Sequence, residues 1–339
     1  MKISLFTFTK NGCETAEKVL NCFEDAEKKA YAPERFSKDG FLPLKSGHEK
    51  ICAGMFSWSD LIIFVSACGI AVRKIAPYIR NKCEDPAVIC IDESGKFVIP
   101  LLSGHIGGAN EYAKTIAEKL GSVCVITTAT DINNRFSVDA WAKKQGFIID
   151  DMSLAKAVSA EILEKDVPLA SEFEICPPYP DGIIPGESGK LGIYVGTKKK
   201  TPFDRTLRII TPVLHLGIGC RKGTEAKFVR ELVEAVLEEN NIDKRAIKCA
   251  ASIDIKSHEA GLLEFCRENN WDISFYSAEE LKRVSGDFSA SEFVKTVTGV
   301  DNVCERAALT GAENLVVKKR AANGVTVAIA SERCCVGFE

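Results

Sequence analysis

"FVIPLLSGHIGGANEYAKTIAEKLGSVCVITTAT", residues 97–130, decides the fold class. An apolar run breaks at Ser103 into a turn holding Gly104, His105, Gly107 and Gly108, helical periodicity follows over about 107–120, and "VCVITTAT" closes as a second strand-like run. Strand, glycine turn, helix and strand in succession is the signature of an α/β sheet. Upstream, "ISLFTFT", a helix over about 13–30, "LIIFVSA", a helix over about 70–81 and "AVICID" repeat the alternation. Several of these runs are nearly free of polar residues, as strands covered on both faces require. Residues 1–130 therefore read as an N-terminal open, largely parallel sheet with flanking helices.

The pattern weakens over 131–211. A helix around "SLAKAVSAEILEK" gives way to "CPPYPDGIIPGESGK", whose prolines and glycines predict a loop, and then to the short strands "GIYVG" and "LRIITP". This stretch reads as a small middle region and linker. From 212 to 339 the pattern returns: "VLHLGIGC", a long amphipathic helix, "KCAASI", a helix over about 257–270, "DISFY", two short helices, and a hairpin around Asn323-Gly324. The expectation is a C-terminal α/β domain with a mixed sheet.

Bulk properties exclude several classes. The net charge is −3, so no long-range field recruits nucleic acid or an anionic membrane. The start lacks a signal-peptide pattern, and the apolar run 61–72 falls short of the roughly 20 residues a membrane helix needs. A cytoplasmic protein is expected. Fourteen cysteines contain no C-x-x-C and mostly sit singly in apolar runs, which reads as buried thiols in a reducing compartment, with Cys334 and Cys335 in a disordered tail. The four histidines are scattered, so no metal cage is expected.

Three turns could carry chemistry. In "LLSGHIGGAN", glycines 104, 107 and 108 let a ligand approach the backbone, His105 is an acid or base near neutral pH, and Ser103 and Asn110 add hydrogen bonds. In "ACGIAVRKIAPYIRNK", a strand reaches Gly69 and a helix carries Arg73 and Arg80, whose guanidinium groups suit carboxylates. In "HLGIGCRKGT", Gly217, Gly219 and Gly223 with Arg221, Lys222 and Thr224 form a turn suited to anions. Its glycine spacing and the lack of a ribose-binding acid weaken a dinucleotide reading. Asp131 after a strand, and Glu259 and Glu305 at further helix starts, are counted as substrate-binding candidates, with an ordinary N-terminal helix charge as the alternative for Glu259 and Glu305.

"GIAVRKIAP", "LLSGHIGGAN", "ATD", "GIGCRKGT", "SIDIKSHEAGL", "CERAAL" and "VTVAIAS", in this order, resemble the CbiG family of anaerobic cobalamin biosynthesis. The C-terminal part is similar to the CobE proteins of the aerobic pathway. The resemblance implies hydrolysis of cobalt-precorrin-5A: water opens the ring A δ-lactone and the two-carbon unit leaves as acetaldehyde, giving cobalt-precorrin-5B. It implies a cobalt-containing tetrapyrrole substrate, no resident cofactor, and transient contact with other enzymes of the pathway. A flat macrocycle fringed with carboxylates suits several separate anion sites, and the glycine turns with Arg73, Arg80, Arg221 and Lys222 offer them. His105 is the expected base, with the amides of 107–108 and Ser103 or Asn110 toward the oxyanion. Two rival readings remain, a non-catalytic tetrapyrrole carrier and a nucleotide-binding oxidoreductase.

Overall fold

A computed structural model describes residues 1–36, 40–44, 49–81, 84–133, 135–286, 288 and 299–338. The chain divides into two compact units, Met1–Ala140 and Trp141–Glu339.

The first unit is built on β1 (Lys2–Thr7), β2 (Glu27–Pro33), β3 (Phe41–Leu44), β4 (Leu61–Val65), β5 (Ala87–Ile91), β6 (Phe97–Leu102) and β7 (Val123–Cys124). They form one sheet in the order β3-β2-β1-β4-β5-β6-β7. Its helices include α1 (Lys10–Leu20), α2 (Glu49–Trp58), α3 (Cys68–Ile75) and α4 (Ala109–Leu120). Every residue of β4 and β5 is buried, which explains why those segments read as unbroken apolar runs. The α/β class and the largely parallel sheet are as expected. One pair departs from parallel: β6 runs antiparallel to β5, with Val88 opposite Leu102 and Ile91 opposite Val98.

Two local expectations are corrected. The helix expected over 13–30 ends at Leu20, and Glu27–Pro33 instead pairs with β1, from Lys2↔Glu27 to Phe6↔Tyr31. Burial of Ala30, Tyr31 and Ala32 in the sheet outweighs the helical propensity of the preceding lysines and alanine. Of "VCVITTAT", only Val123–Cys124 pairs, at the sheet edge beside β6, and the rest runs as loop into the short helix α5 (Ala129–Ile132). After it comes α6 (Val138–Lys144).

In the second unit, residues expected as a poorly defined middle build a five-stranded sheet. It comprises β8 (Ile148–Ile149), β9 (Val167–Ser171), β11 (Ile183–Pro185), β12 (Leu191–Gly196) and β13 (Arg205–Ile210), in the order β11-β9-β12-β13-β8. Helix α7 (Met152–Glu164) packs on it, capped by Asp151, whose carboxylate accepts from the Ser153 and Leu154 N–H groups. A further sheet of the second unit comprises β14 (Leu214–Cys220), β15 (Ile247–Ile253), β16 (Ile273–Tyr276), β17 (Asn314–Ala322) and β18 (Val325–Ser331), ordered β16-β15-β14-β18-β17. It is mixed, as expected: β14, β15 and β16 are parallel, and the β17–β18 hairpin is antiparallel. The hairpin turns at Asn323 (φ 51°) and Gly324 (φ 78°). Helices α8 (Ala226–Glu239), α9 (Ala260–Glu268), α10 (Ala278–Arg283) and α11 (Val303–Leu309) accompany it.

The cysteine expectation fails at one place. The tail is ordered as β19 (Cys335–Val336), parallel to β10 (Glu174–Ile175), and Cys335 forms a disulfide with Cys176. Val336 is fully buried there, so apolar burial fixes a segment that reads as a loose end. Among the described residues, no helix is long and apolar enough to cross a membrane.

Candidate functional site

The turn after β6 is a compact knot of backbone. Ser103 takes a left-handed φ of 55°, and a Cβ on Gly107 would stand 2.3 Å from the Ser103 Cβ, so only glycine fits position 107. The N–H groups of Gly108, Ala109 and Asn110 donate to the carbonyls of His105, Ser103 and Gly104. Of the two amides expected to receive an oxyanion, that of Gly108 is thus engaged. The Ser103 hydroxyl donates to the Asp85 carbonyl at 3.0 Å.

These bonds fix His105 beside two carboxylates. Its Nε2 lies 2.8 Å from Asp131 Oδ2 on α5, and its Nδ1 lies 3.8 Å from Asp139 Oδ1 on α6. Asp131 Oδ2 also accepts from Asn110 Nδ2 at 2.9 Å, and the same amide reaches Thr128 Oγ1 at 2.9 Å. Asn110 is buried, and its Nδ2 is engaged by Thr128 and Asp131. Asp139 Oδ1 accepts from Ser137 Oγ at 2.8 Å and from the Ala140 N–H at 3.0 Å. A carboxylate at Nε2 can only accept, so that nitrogen carries a proton. Lys114, 3.8 Å from Asp131 Oδ1, has its pKa raised, chiefly by its hydrogen bond to Glu111. A cavity of about 530 Å³ opens onto His105, Asn110, Thr128 and Asp139.

Sequence reasoning singled out Asp131, though not as the partner of His105, and missed Asp139. The only signal was an acidic residue in the first turn of a short helix, which is ordinary capping.

Other expected residues scatter. Because β6 is antiparallel to β5, its C-terminal end lies beside the starts of β4 and β5, whereas Gly69 and Arg73 follow the end of β4. Those two residues and His105 therefore lie at opposite strand ends of one sheet and do not line one site. Arg73 is exposed and its Nη1 returns to the Gly69 carbonyl. Arg80 does reach the His105 end of the sheet: its N–H donates to Asp85, whose carbonyl holds Ser103, and its exposed guanidinium stands 4.0 Å from Glu84.

In the second unit, the turn after β14 is already capped from within. The Gly223 N–H donates to Glu259 Oε2 at 2.8 Å, and Lys256 Nζ pairs with Glu259 Oε1 at 3.0 Å. Burial pushes the Glu259 carboxyl up, but the Gly223 N–H and Lys256 outweigh it and hold its pKa below the usual value. Glu259 thus occupies the anion position expected for substrate. Thr224 donates to the Arg221 carbonyl. Gly217 serves packing: a Cβ there would lie 1.9 Å from the Cys304 carbonyl oxygen of α11. Gly219 carries no such backbone contact and faces a second cavity of about 530 Å³, which Arg221 and Lys222 also line. Glu305, expected to touch substrate, is fully buried and accepts from Asn302 Nδ2 and the Lys319 N–H. In the wall of that cavity, burial pushes the Cys304 thiol up to about 11, so it stays protonated at neutral pH.

Comparison with known proteins agrees with both regions. Residues 50–131 match the model described as cobalamin synthesis G N-terminal, and 214–330 the model described as cobalamin synthesis G C-terminus. The chain is 30% identical to a cobalt-precorrin-5A hydrolase of Salmonella typhimurium, covering 96% of this chain and 97% of that one. A protein of the same name from Priestia megaterium is 29% identical over 96% of this chain and 94% of its own. A protein CobE from Sinorhizobium sp is 31% identical over 34% of this chain and 79% of its own.

Proposed function

The chain belongs to the CbiG family, and from that premise we propose that it is a cobalt-precorrin-5A hydrolase with its chemistry at His105 in the first unit. The observation that carries the assignment of chemistry is the pairing of His105 Nε2 with Asp131 at 2.8 Å, itself steadied by buried Asn110. A carboxylate on one ring nitrogen leaves the other to take a proton and stabilises the imidazolium that results.

Nδ1 lies 3.8 Å from Asp139 Oδ1, beyond hydrogen-bond range, and in this reading the reacting water is held on the cavity side of His105. His105 deprotonates that water as it adds to the lactone carbonyl. Gly107 N–H, which has no acceptor among the described residues, faces the oxyanion. Collapse of the adduct opens the lactone and frees a hydroxyl. Loss of that proton forms the carbonyl of acetaldehyde as the carbon–carbon bond breaks, and the electron pair passes into the macrocycle. The substrate's own conjugated ring and cobalt accept those electrons, so the protein supplies positioning and proton transfer. The reading also carries a cytoplasmic location for the reaction.

The test is acetaldehyde release from cobalt-precorrin-5A by purified protein under anaerobic conditions. His105→Gln should lose at least about a hundredfold in rate while still binding substrate. Full activity in that variant removes His105 from the mechanism, and binding without turnover by the wild-type protein would leave a carrier.

A further inference from the structure

We propose that the cavity of the second unit is a separate carboxylate-binding site for one edge of an apolar, carboxylate-fringed macrocycle, with Lys319 as its central cation. The inference rests on the substrate class proposed above but not on chemistry at His105.

Three observations carry it. The first is composition: sixteen residues line the cavity, four of them cationic (Arg221, Lys222, Lys256 and Lys319) and none acidic. Of these four, only Lys256 has a carboxylate within ion-pair distance among the described residues, namely Glu259. The rest of the wall is largely apolar, with Ile253, Val303 and Val325 below and Ile255, 55% exposed, at the side. An apolar floor rimmed by unpaired cations suits a ligand that is itself apolar in the middle and anionic at its margin.

The second is a device that delivers Lys319. Strand β17 shifts register against β18 between Val317↔Ile329 and Arg320↔Val327, which inserts one extra residue at 318–319. A bulge of this kind turns a side chain out of its regular direction. The Lys319 N–H has left the strand ladder and donates to Glu305 Oε1 at 2.7 Å, a carboxylate with no exposed surface. Glu305 is held in turn by Asn302 Nδ2 at 2.6 Å. A buried carboxylate is costly unless bonded in this way, so Glu305 acts as a positioning residue that pins the bulge and fixes Lys319 at the cavity.

The third is the approach of the walls. The absence of a side chain at Gly217 brings the first turn of α11, with Val303 and Cys304, directly onto β14. The Arg221 N–H donates to the Gly324 carbonyl at 3.0 Å, so the hairpin tip holds the arginine at the rim. A volume of about 530 Å³ accepts an edge of a macrocycle with its acid side chains.

The experiment is fluorescence titration of the full chain with coproporphyrin, a four-carboxylate porphyrin, at two salt concentrations. Lys319→Glu should weaken binding at least about tenfold and flatten the salt dependence. Lys318→Glu, the same charge change at the exposed neighbour on the bulge, should stay within about twofold of wild type. His105→Gln should bind as wild type. Lys319→Met serves if the charge reversal does not fold, with a loss of at least about fivefold expected. No binding by the wild-type chain, or equal affinity in wild type and the Lys319 variants, overturns the proposal. Acetaldehyde release measured separately keeps the two readings apart: turnover with unchanged porphyrin affinity in Lys319→Glu refutes this site alone. Absent turnover with Lys319-dependent binding refutes only the hydrolase assignment.

Discussion

Asp131→Asn separates the charge of the His105 partner from its geometry. The amide oxygen of asparagine can still accept from His105 Nε2 and Asn110 Nδ2, which now stand 2.8 Å and 2.9 Å from Asp131 Oδ2, so the imidazole keeps its place and tautomer. What disappears is the negative charge that stabilises an imidazolium as the water is deprotonated. With charge centres about 4 Å apart and an effective dielectric near 20, that interaction is worth about 4 kcal/mol. The two side chains are 19% and 21% exposed, and screening on that scale halves the figure to about 2 kcal/mol. The expected result is a fall in kcat of about thirtyfold with KM within about twofold of wild type. Acetaldehyde release at several substrate concentrations, coupled to alcohol dehydrogenase, reads both constants. A kcat within about threefold of wild type, or a loss confined to KM, would refute a base paired through Asp131.

Gly217→Ala places a methyl group 1.9 Å from the Cys304 carbonyl oxygen and 2.7 Å from the Ala308 nitrogen. Both are backbone atoms of α11, so the second unit should lose at least about 3 kcal/mol in urea unfolding; a stability equal to wild type would restore Gly217 to a ligand-binding role. Asp243 lies buried between Arg208 Nη1 at 3.1 Å and Arg245 Nη2 at 2.8 Å. Burial pushes its carboxyl up, yet the Arg245 and Arg208 contacts outweigh that and leave its pKa below the usual 3.8. A depressed native value means stability that is complete above the unfolded carboxylate range and is lost as pH falls through the native value. Asp243→Asn should therefore sit about 3 kcal/mol below wild type at neutral pH and converge with it in strong acid, as followed by urea melts across pH. A gap that stays constant into strong acid contradicts the ion-pair account.

What was legible in the sequence depended on whether the signal was local. The runs at 61–65 and 87–91 announced themselves because strands covered on both faces have no polar side chain to place. The Asn323-Gly324 turn was legible for a similar reason, since two successive left-handed residues admit few sequences. His105 and Asp131 each stood out because a glycine turn and a strand end are local features, but their pairing was not legible. The direction of β6 was not local. Nothing within "FVIPLL" states that it runs against β5, yet that reversal alone puts Gly69 and Arg73 at the opposite strand ends of the sheet from His105.

The same reasoning explains why the carboxylates were assigned wrongly. Glu259 and Glu305 each begin or precede a helix, where a ligand role and a structural role share one sequence pattern. The structure separates them by partners far along the chain: Glu259 meets Gly223 across 36 positions and Glu305 meets Lys319 across 14. In both cases the carboxylate satisfies a backbone N–H that an irregular turn or bulge has withdrawn from regular pairing. Such groups must be satisfied somewhere inside the protein. An acid beside a glycine turn is thus as much a sign that the turn is filled from within as that it awaits a ligand. The cations with no carboxylate in ion-pair distance among the described residues, here Arg221, Lys222 and Lys319, are what the proposed anion site of the second unit rests on.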